Sequence, residues 1–265
     1  SYSVLPGAVE ELPFARPAPS PSGEPAFAGA RFVGDRGGRL AKRLEKLGIA
    51  LEGPDGRSGF AIVDGENAGK AEAETLARKI IPELSRVPGA AVLVMTADGG
   101  PSPALEPVFG GKIGVFEGVS TSLEKGEDAR VAGAFNVPDL YFVRGGRGDR
   151  EIAKISFDAG GIGGAVSALR AARTNWDLFD APENVKCAQM VLYGHLEKRR
   201  GDVLFSKPMG RGRLYLSSLN YNLESGDAEG FFRALFRALG LASSGAGASD
   251  APGKVHDLLR DGPID

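Results

Sequence analysis

The chain has one cysteine, Cys187, and two histidines, His195 and His256. A single thiol excludes an intrachain disulfide and any cysteine-rich metal centre, and two imidazoles exclude a histidine-rich one. Neither a metal nor a cofactor is expected, and histidine-dependent acid–base chemistry falls mainly to His195. Long apolar runs are missing as well: none approaches the ~20 residues that span a bilayer. The first residues lack a basic segment followed by an apolar one, so no signal peptide is predicted. No sign of charge dominates, with 32 Lys+Arg against 34 Asp+Glu and a net charge of −2. A chain so balanced has no global field for nucleic acid or anionic lipid, and neither is an expected partner. Solubility is expected. The compartment stays open, since secreted and periplasmic bacterial enzymes also lack disulfides.

What is present is ordinary globular material, 42% hydrophobic and 25% charged over 265 residues. That length supports one large domain with a substantial core, or two small ones. Residues 1–26 contain six prolines and read as an extended linker. Residues 242–265 begin in Ser/Gly/Ala composition and read as a tail toward a further domain. The chain starts with Ser, and linkers at both ends predict a piece of a longer polypeptide.

Between them, residues 90–101, A-A-V-L-V-M-T-A-D-G-G-P, are the organising stretch: a short apolar run ending in a small polar turn. Buried parallel strands deliver their C-terminal ends to a crevice in this way. Residues 28–34 and 60–63 read as two earlier strands, and 39–47 and 70–86 as helices between strands. Leu40, Leu44 and Leu47 share a face of the first helix, while Ala73, Leu76, Ala77, Ile80, Ile81 and Leu84 face inward on the second, which Pro82 kinks or shortens. Alternation of strand and helix with short links predicts right-handed crossovers and a parallel sheet. The string G-D-R-G-G at 34–38 lacks the spacing of a phosphate loop and reads as a tight turn. Asp35, Asp64 and Asp98 fall at strand ends and should gather near one edge. There they either bind a cation or sugar hydroxyl, or form turns and cap helices.

Further on, residues 101–136 read as loop-rich. Strands are expected at 140–143 and 152–157, joined by a solvated Gly/Arg hairpin tip, with a short helix at 165–172. Three β-segments, 187–193, 203–207 and 213–217, read as an antiparallel meander at the sheet edge. A closing helix over 228–239 buries Phe231, Phe232, Leu235, Phe236 and Leu239.

The strings R-F-V-G-D, L-A-K-R-L-E-K-L-G-I, F-A-I-V-D-G and A-A-V-L-V-M together resemble the class I glutamine-amidotransferase-like fold. The ending K-P-M-G-R-G-R-L-Y-L-S-S-L-N, followed by F-F-R-A-L-F-R-A-L-G, is similar to the amidotransferase-like accessory domains of large glycoside hydrolases of the β-galactosidase type. Pro138-Asp139-Leu140 and Trp176-Asp177 fit that pattern too, and the likeness covers roughly residues 27–241. It implies an α/β fold with an open, mostly parallel sheet flanked by helices and an antiparallel edge near the C-terminus. In some such enzymes a related domain helps trimerise the protein.

Active members of that family place a Cys on a strand-to-helix elbow and take His and Glu from a later H-x-E. Here the elbow falls at 96–100 and holds Asp98. Cys187 lies inside a predicted strand, where a buried structural thiol is the usual finding. His195-Leu196-Glu197 does reproduce H-x-E but has no thiol to deprotonate. The leading expectation is a non-catalytic accessory or assembly domain of a carbohydrate-active enzyme, in contact with other domains or subunits. A stand-alone hydrolase with a degenerate site at Asp98, His195 and Glu197 is one alternative. A sugar- or small-ligand-binding module using Asp35, Asp64, Asp98 and Trp176 is the other.

Overall fold

Five short segments build a parallel half-sheet in the computed structural model, which describes residues 27–120, 122–135, 139–141, 152–171, 201–223 and 226–242. They are β1 (Gly29–Val33), β2 (Ala50–Glu52), β3 (Phe60–Asp64), β4 (Ala91–Met95) and, much later in the chain, β11 (Gly212–Ser217). Their order, β2-β1-β3-β4-β11, is that of a flavodoxin-like sheet. β1, β3 and β4 are buried along their whole length because helices cover both faces.

Alternate side chains divide the core accordingly. Phe60 and Ile62 of β3 join Leu93 and Met95 of β4 under α1 (Arg39–Lys46) and the closing helix α6 (Gly226–Ala238). Ala61, Val63, Val92 and Val94 face the other way. They pack under a helix running through α2 (Lys70–Thr75), a π-turn (Leu76–Ile80) and α3 (Ile81–Leu84). That wide turn lies immediately ahead of Pro82, where the missing N–H interrupts regular α-pairing. Ala73, Leu76, Ile80 and Leu84 are buried as expected, Ile81 is half-buried, and Ala77 is exposed. Phe232, Leu235 and Phe236 of α6 and Leu239 just after it are fully buried, each contributing roughly 1.5–3 kcal/mol. The helix ends against Phe27, which donates its N–H to the Gly240 carbonyl (2.7 Å) and accepts from the Ala242 N–H (2.7 Å).

The antiparallel edge is broad. β10 (Asp202–Met209) pairs with β11, and β9 (Val166–Ala171), β6 (Ser122–Lys125) and β7 (Asp139–Tyr141) continue the sheet. β5 (Gly114–Ser120) pairs with β8 (Ala153–Asp158), which joins β10 through Asp202 and Phe157. Three local expectations are corrected here. The helix expected over 165–172 is strand β9, because V-S-A-L-R-A is held between β10 and β6 and tertiary pairing overrides the helix preference of Ala and Leu. The loop-rich stretch contains β5 and β6, alongside short helices α4 (Glu106–Phe109) and α5 (Ala129–Ala132). The strands before and after the Gly/Arg turn do not pair with each other: β7 pairs with β6, and β8 with β5 and β10. The expected strand 187–193, the turn itself and both terminal linkers lie outside the described residues.

Two buried polar clusters tie distant segments together. Arg43 of α1, 5% exposed, donates through Nε to the Tyr221 carbonyl (2.9 Å), through Nη2 to the Leu223 carbonyl and through Nη1 to Glu229 Oε1 (2.9 Å). Asp128 caps α5 by accepting from the Arg130 and Val131 N–H groups, and its other oxygen accepts from Ser206 Oγ (2.6 Å) and Arg213 (3.1 Å). No helix among the described residues is long and apolar enough to cross a membrane.

Candidate functional site

Ligands of open α/β sheets bind outside the carboxyl ends of the parallel strands, at the point where strand order reverses. Here that point lies between β1 and β3. Gly34 leaves β1 at φ +146, a conformation that L side chains rarely adopt, and a Cβ there would stand 2.8 Å from the Asp64 Cβ. Close passage of the two strand ends therefore demands glycine.

Each strand-end acid holds a turn or a loop. Exposed Asp35 accepts from the Gly37 N–H (2.8 Å) and closes its own Asx-type turn. It does not cap α1, whose N-cap is Gly38 with no side-chain bond. Asp64 is 3% exposed, and both its oxygens accept from the Asn67 side-chain amide (3.0 and 3.2 Å). Glu66 reaches across to the next loop, where Oε1 accepts from the Gly99 N–H (2.6 Å). The Gly65 N–H donates to the Met95 carbonyl (2.8 Å), and the Ser102 N–H donates to the Gly65 carbonyl (2.9 Å). The loops after β3 and β4 are thus stitched together. Asp98 pairs with Lys154 of β8 at 2.8 Å. Both side chains are about two-fifths exposed, so the pair contributes at most ~1 kcal/mol.

The elbow position holds Thr96 and Asp98 and no thiol. Thr96 is fully buried, and its hydroxyl donates to the Ser217 carbonyl (3.2 Å) beside the Thr96 N–H bond to the same oxygen (2.8 Å). Of the residues expected to contribute, the structure describes Asp35, Asp64 and Asp98; His195, Glu197, Trp176 and Cys187 lie outside the described residues. Among those described, no three His, Cys, Asp or Glu are grouped so as to hold a metal ion.

Sequence reasoning missed the fourth wall of this edge. β11 runs antiparallel to β10 but parallel to β4, with Ser217 opposite Met95, so its C-terminal end meets those of β3 and β4. The chain leaving it is pinned to β8 and β10. Ser218 donates its N–H to the Val203 carbonyl and its hydroxyl to the Ile155 carbonyl (both 2.8 Å), and the Asn220 N–H donates to the Ile152 carbonyl (2.7 Å). Tyr221 follows. Its ring belongs to the core under α1 and α6, and it is 4% exposed. Burial, then the carboxylates of Asp64 and Glu66, push the phenol up to about 12; Arg39 opposes, and Asp98 adds to the rise. The phenol thus stays protonated at neutral pH. The one available signal was L-N-Y-N directly after a predicted strand. Reading it required knowing that the strand is parallel to β4.

No protein-family model matches the chain, and neither does any curated protein or solved structure.

Proposed function

We propose that the chain is a non-catalytic accessory or assembly domain of a multidomain carbohydrate-active enzyme, acting through contacts with neighbouring domains or subunits. The observation that carries this reading is how the strand-end side chains are used. Asp35, Asp64 and Glu66 hold turns and loops, Asp98 pairs with Lys154, and the Thr96 hydroxyl is bonded within the sheet. A nucleophile needs a base within hydrogen-bond reach and an exposed reacting atom. Buried Thr96, bonded to a backbone carbonyl, supplies neither. The carbohydrate context rests on the likeness of residues 207–220 and 231–240 to the accessory domains of β-galactosidase-type enzymes, and on fold-level analogy.

The test uses the whole reading frame that encodes the chain, with and without residues 27–242, and the chain alone. Light scattering reports subunit number, and nitrophenyl glycosides, nitrophenyl esters and glutamine report activity. The expected results are glycosidase activity in the frame that survives Asp98→Ala, a change in assembly when residues 27–242 are removed, and an inactive isolated chain. An isolated chain that hydrolyses any of these substrates, and loses that activity in Asp98→Ala or His195→Ala, would reassign it as a hydrolase. A frame that encodes no carbohydrate-active domain would also overturn the reading.

A further inference from the structure

The string M-G-R-G-R at 209–213 carries two arginines at the end of the sheet away from the strand-end acids. It forms the hairpin between β10 and β11, with Met209 paired to Gly212, and its tip sits on the loop that leads from α3 into β4. The Arg211 N–H donates to the Ser85 carbonyl (2.7 Å), and the Arg211 carbonyl accepts from the Gly89 N–H (3.3 Å). Gly210, at φ +59, makes this seat possible, because a Cβ there would stand 2.4 Å from the Ser85 carbonyl oxygen. Arg130 of α5 approaches from another side, its Nη1 lying 3.5 Å from the Gly89 carbonyl oxygen. Four arginines, Arg86, Arg130, Arg211 and Arg213, thus gather around residues 85–89 at the amino ends of β4 and β11.

The carboxylates beside them are already engaged. Asp128 is 2% exposed, and its oxygens accept from Ser206, Arg213 and the first turn of α5. Glu83, three residues before Arg86, is held by Arg31 at 2.5 Å. Arg86 and Arg211 are exposed, and neither guanidinium has a hydrogen-bond or ion-pair partner among the described residues. Like charges fixed beside one another repel, and a carboxylate placed between them relieves that repulsion. The guanidinium fork matches a carboxylate with two parallel N–H bonds. At a net charge of −2 the chain as a whole does not attract a long polyanion, so the attraction is local to this patch. The patch stands on a loop and a hairpin tip, with exposed Pro88 in the loop, and offers its surface to an extended chain.

We propose that this arginine face docks an acidic polypeptide segment, whose Asp or Glu carboxylates pair with Arg86 and Arg211. The inference rests on the accessory reading and deepens it: it names the face that meets a neighbouring domain or subunit, and the charge of that partner. Arg130 and Arg213 keep their contacts within the fold and add to the positive field. Because the loop and the hairpin are bonded to each other, the backbone positions of Arg86 and Arg211 are set before docking, which lowers the ordering cost of binding.

The test is titration of the full 15N-labelled chain with hexaglutamate, and separately with hexalysine and with hexathymidylate. Hexaglutamate should shift the amide signals of residues 85–87, 89 and 210–213. Raising NaCl from about 20 mM to about 200 mM should weaken that binding severalfold, because exposed charges are screened. Each exposed charge pair contributes little alone, so both arginines are changed together, at positions whose side chains are exposed. Arg86→Gln/Arg211→Gln should weaken binding about fivefold or more. Arg39→Gln makes the same kind of change at an exposed position at the carboxyl end of the sheet, and should weaken it less than about twofold. The proposal is overturned if hexaglutamate does not shift these signals, if hexalysine or hexathymidylate binds more tightly, if the double variant binds as tightly as the parent chain, or if Arg39→Gln loses as much. Each of these outcomes leaves the accessory reading standing, since that reading is judged by the change in assembly when residues 27–242 are removed.

Discussion

Replacing Arg43 by methionine removes three hydrogen-bond donors and a charge while leaving an unbranched side chain in the same gap. Two of the acceptors, the Tyr221 and Leu223 carbonyls, lie on the segment between β11 and α6 and are bonded by a side chain only 5% exposed. An acceptor left unpaired in the interior costs ~1–3 kcal/mol, so the two together cost ~2–6 kcal/mol. Glu229, with its side chain 28% exposed, can turn to water and adds less than ~1 kcal/mol. Apolar contacts of the methionine offset part of the loss, and the expected net destabilisation is ~3–5 kcal/mol, the range for breaking a buried charged pair. Against a total stability of ~5–15 kcal/mol this is a large fraction. Urea unfolding followed by far-UV circular dichroism measures it, with Glu229→Gln as the control expected to lose under ~1 kcal/mol. Amide exchange should quicken around residues 220–223, because that stretch loses its tether. A loss below ~1 kcal/mol in Arg43→Met, or an equal loss in Glu229→Gln, would refute the reasoning. The first result would mean that water replaces the guanidinium, the second that the ion pair dominates.

Two predictions concern pH. Tyr221 is pushed up to about 12 in the folded chain, whereas an unfolded tyrosine titrates near ~10. Its contribution is therefore complete below about pH 10 and is lost between about pH 10 and 12. Over that window the parent chain should lose more stability than Tyr221→Phe, and parallel curves would contradict the burial of the phenol. Asp202 is raised by burial, with the Ser167 hydroxyl and Arg170 opposing only in part. Its native state thus holds the proton more tightly than the unfolded chain. The resulting stabilisation is present below ~pH 3.9 and lost as pH rises through the higher folded value, leaving the ionised group a cost at neutral pH. Asp202→Asn should match or exceed the parent in urea midpoint at neutral pH, with the difference closing in acid. A clear loss at neutral pH would show that the Ser167 and Arg170 bonds outweigh desolvation.

How legible the fold was depended on how locally each element is determined. Residues 60–63 and 91–95 are continuous apolar runs too short for helices, and they are the two central parallel strands. The first and last helices were visible because Leu40 and Leu44, and Phe232, Leu235, Phe236 and Leu239, repeat at helical spacing and point into one core. Strand β9 was not visible, since Ala168, Leu169 and Ala171 suit a helix equally well and only β10 and β6 on either side decide. β5, rich in Gly and Ser with an exposed Val115, has no local apolar signature, and its pairing with β8 is a long-range event.

The candidate site was half legible for the same reason. Asp35, Asp64 and Asp98 could be placed at strand ends because β1, β3 and β4 are consecutive parallel strands, each followed by its own turn. What those acids do could not be read, because the groups they bind, Asn67, Gly37 and Lys154, are set by loop geometry and by β8. Tyr221 was hidden by a matter of direction. A hairpin partner of β10 reads as an edge meander, and in a meander its end could lie at either side of the sheet. Only the register of β11 on β4, from Arg213 opposite Ala91 to Ser217 opposite Met95, makes it the fifth parallel strand. That register carries residues 218–221 to the same edge as Asp64 and Asp98. One long-range strand pairing therefore does two things: it completes the parallel half of the fold, and it brings the segment 218–221 to the strand ends where such folds meet their ligands.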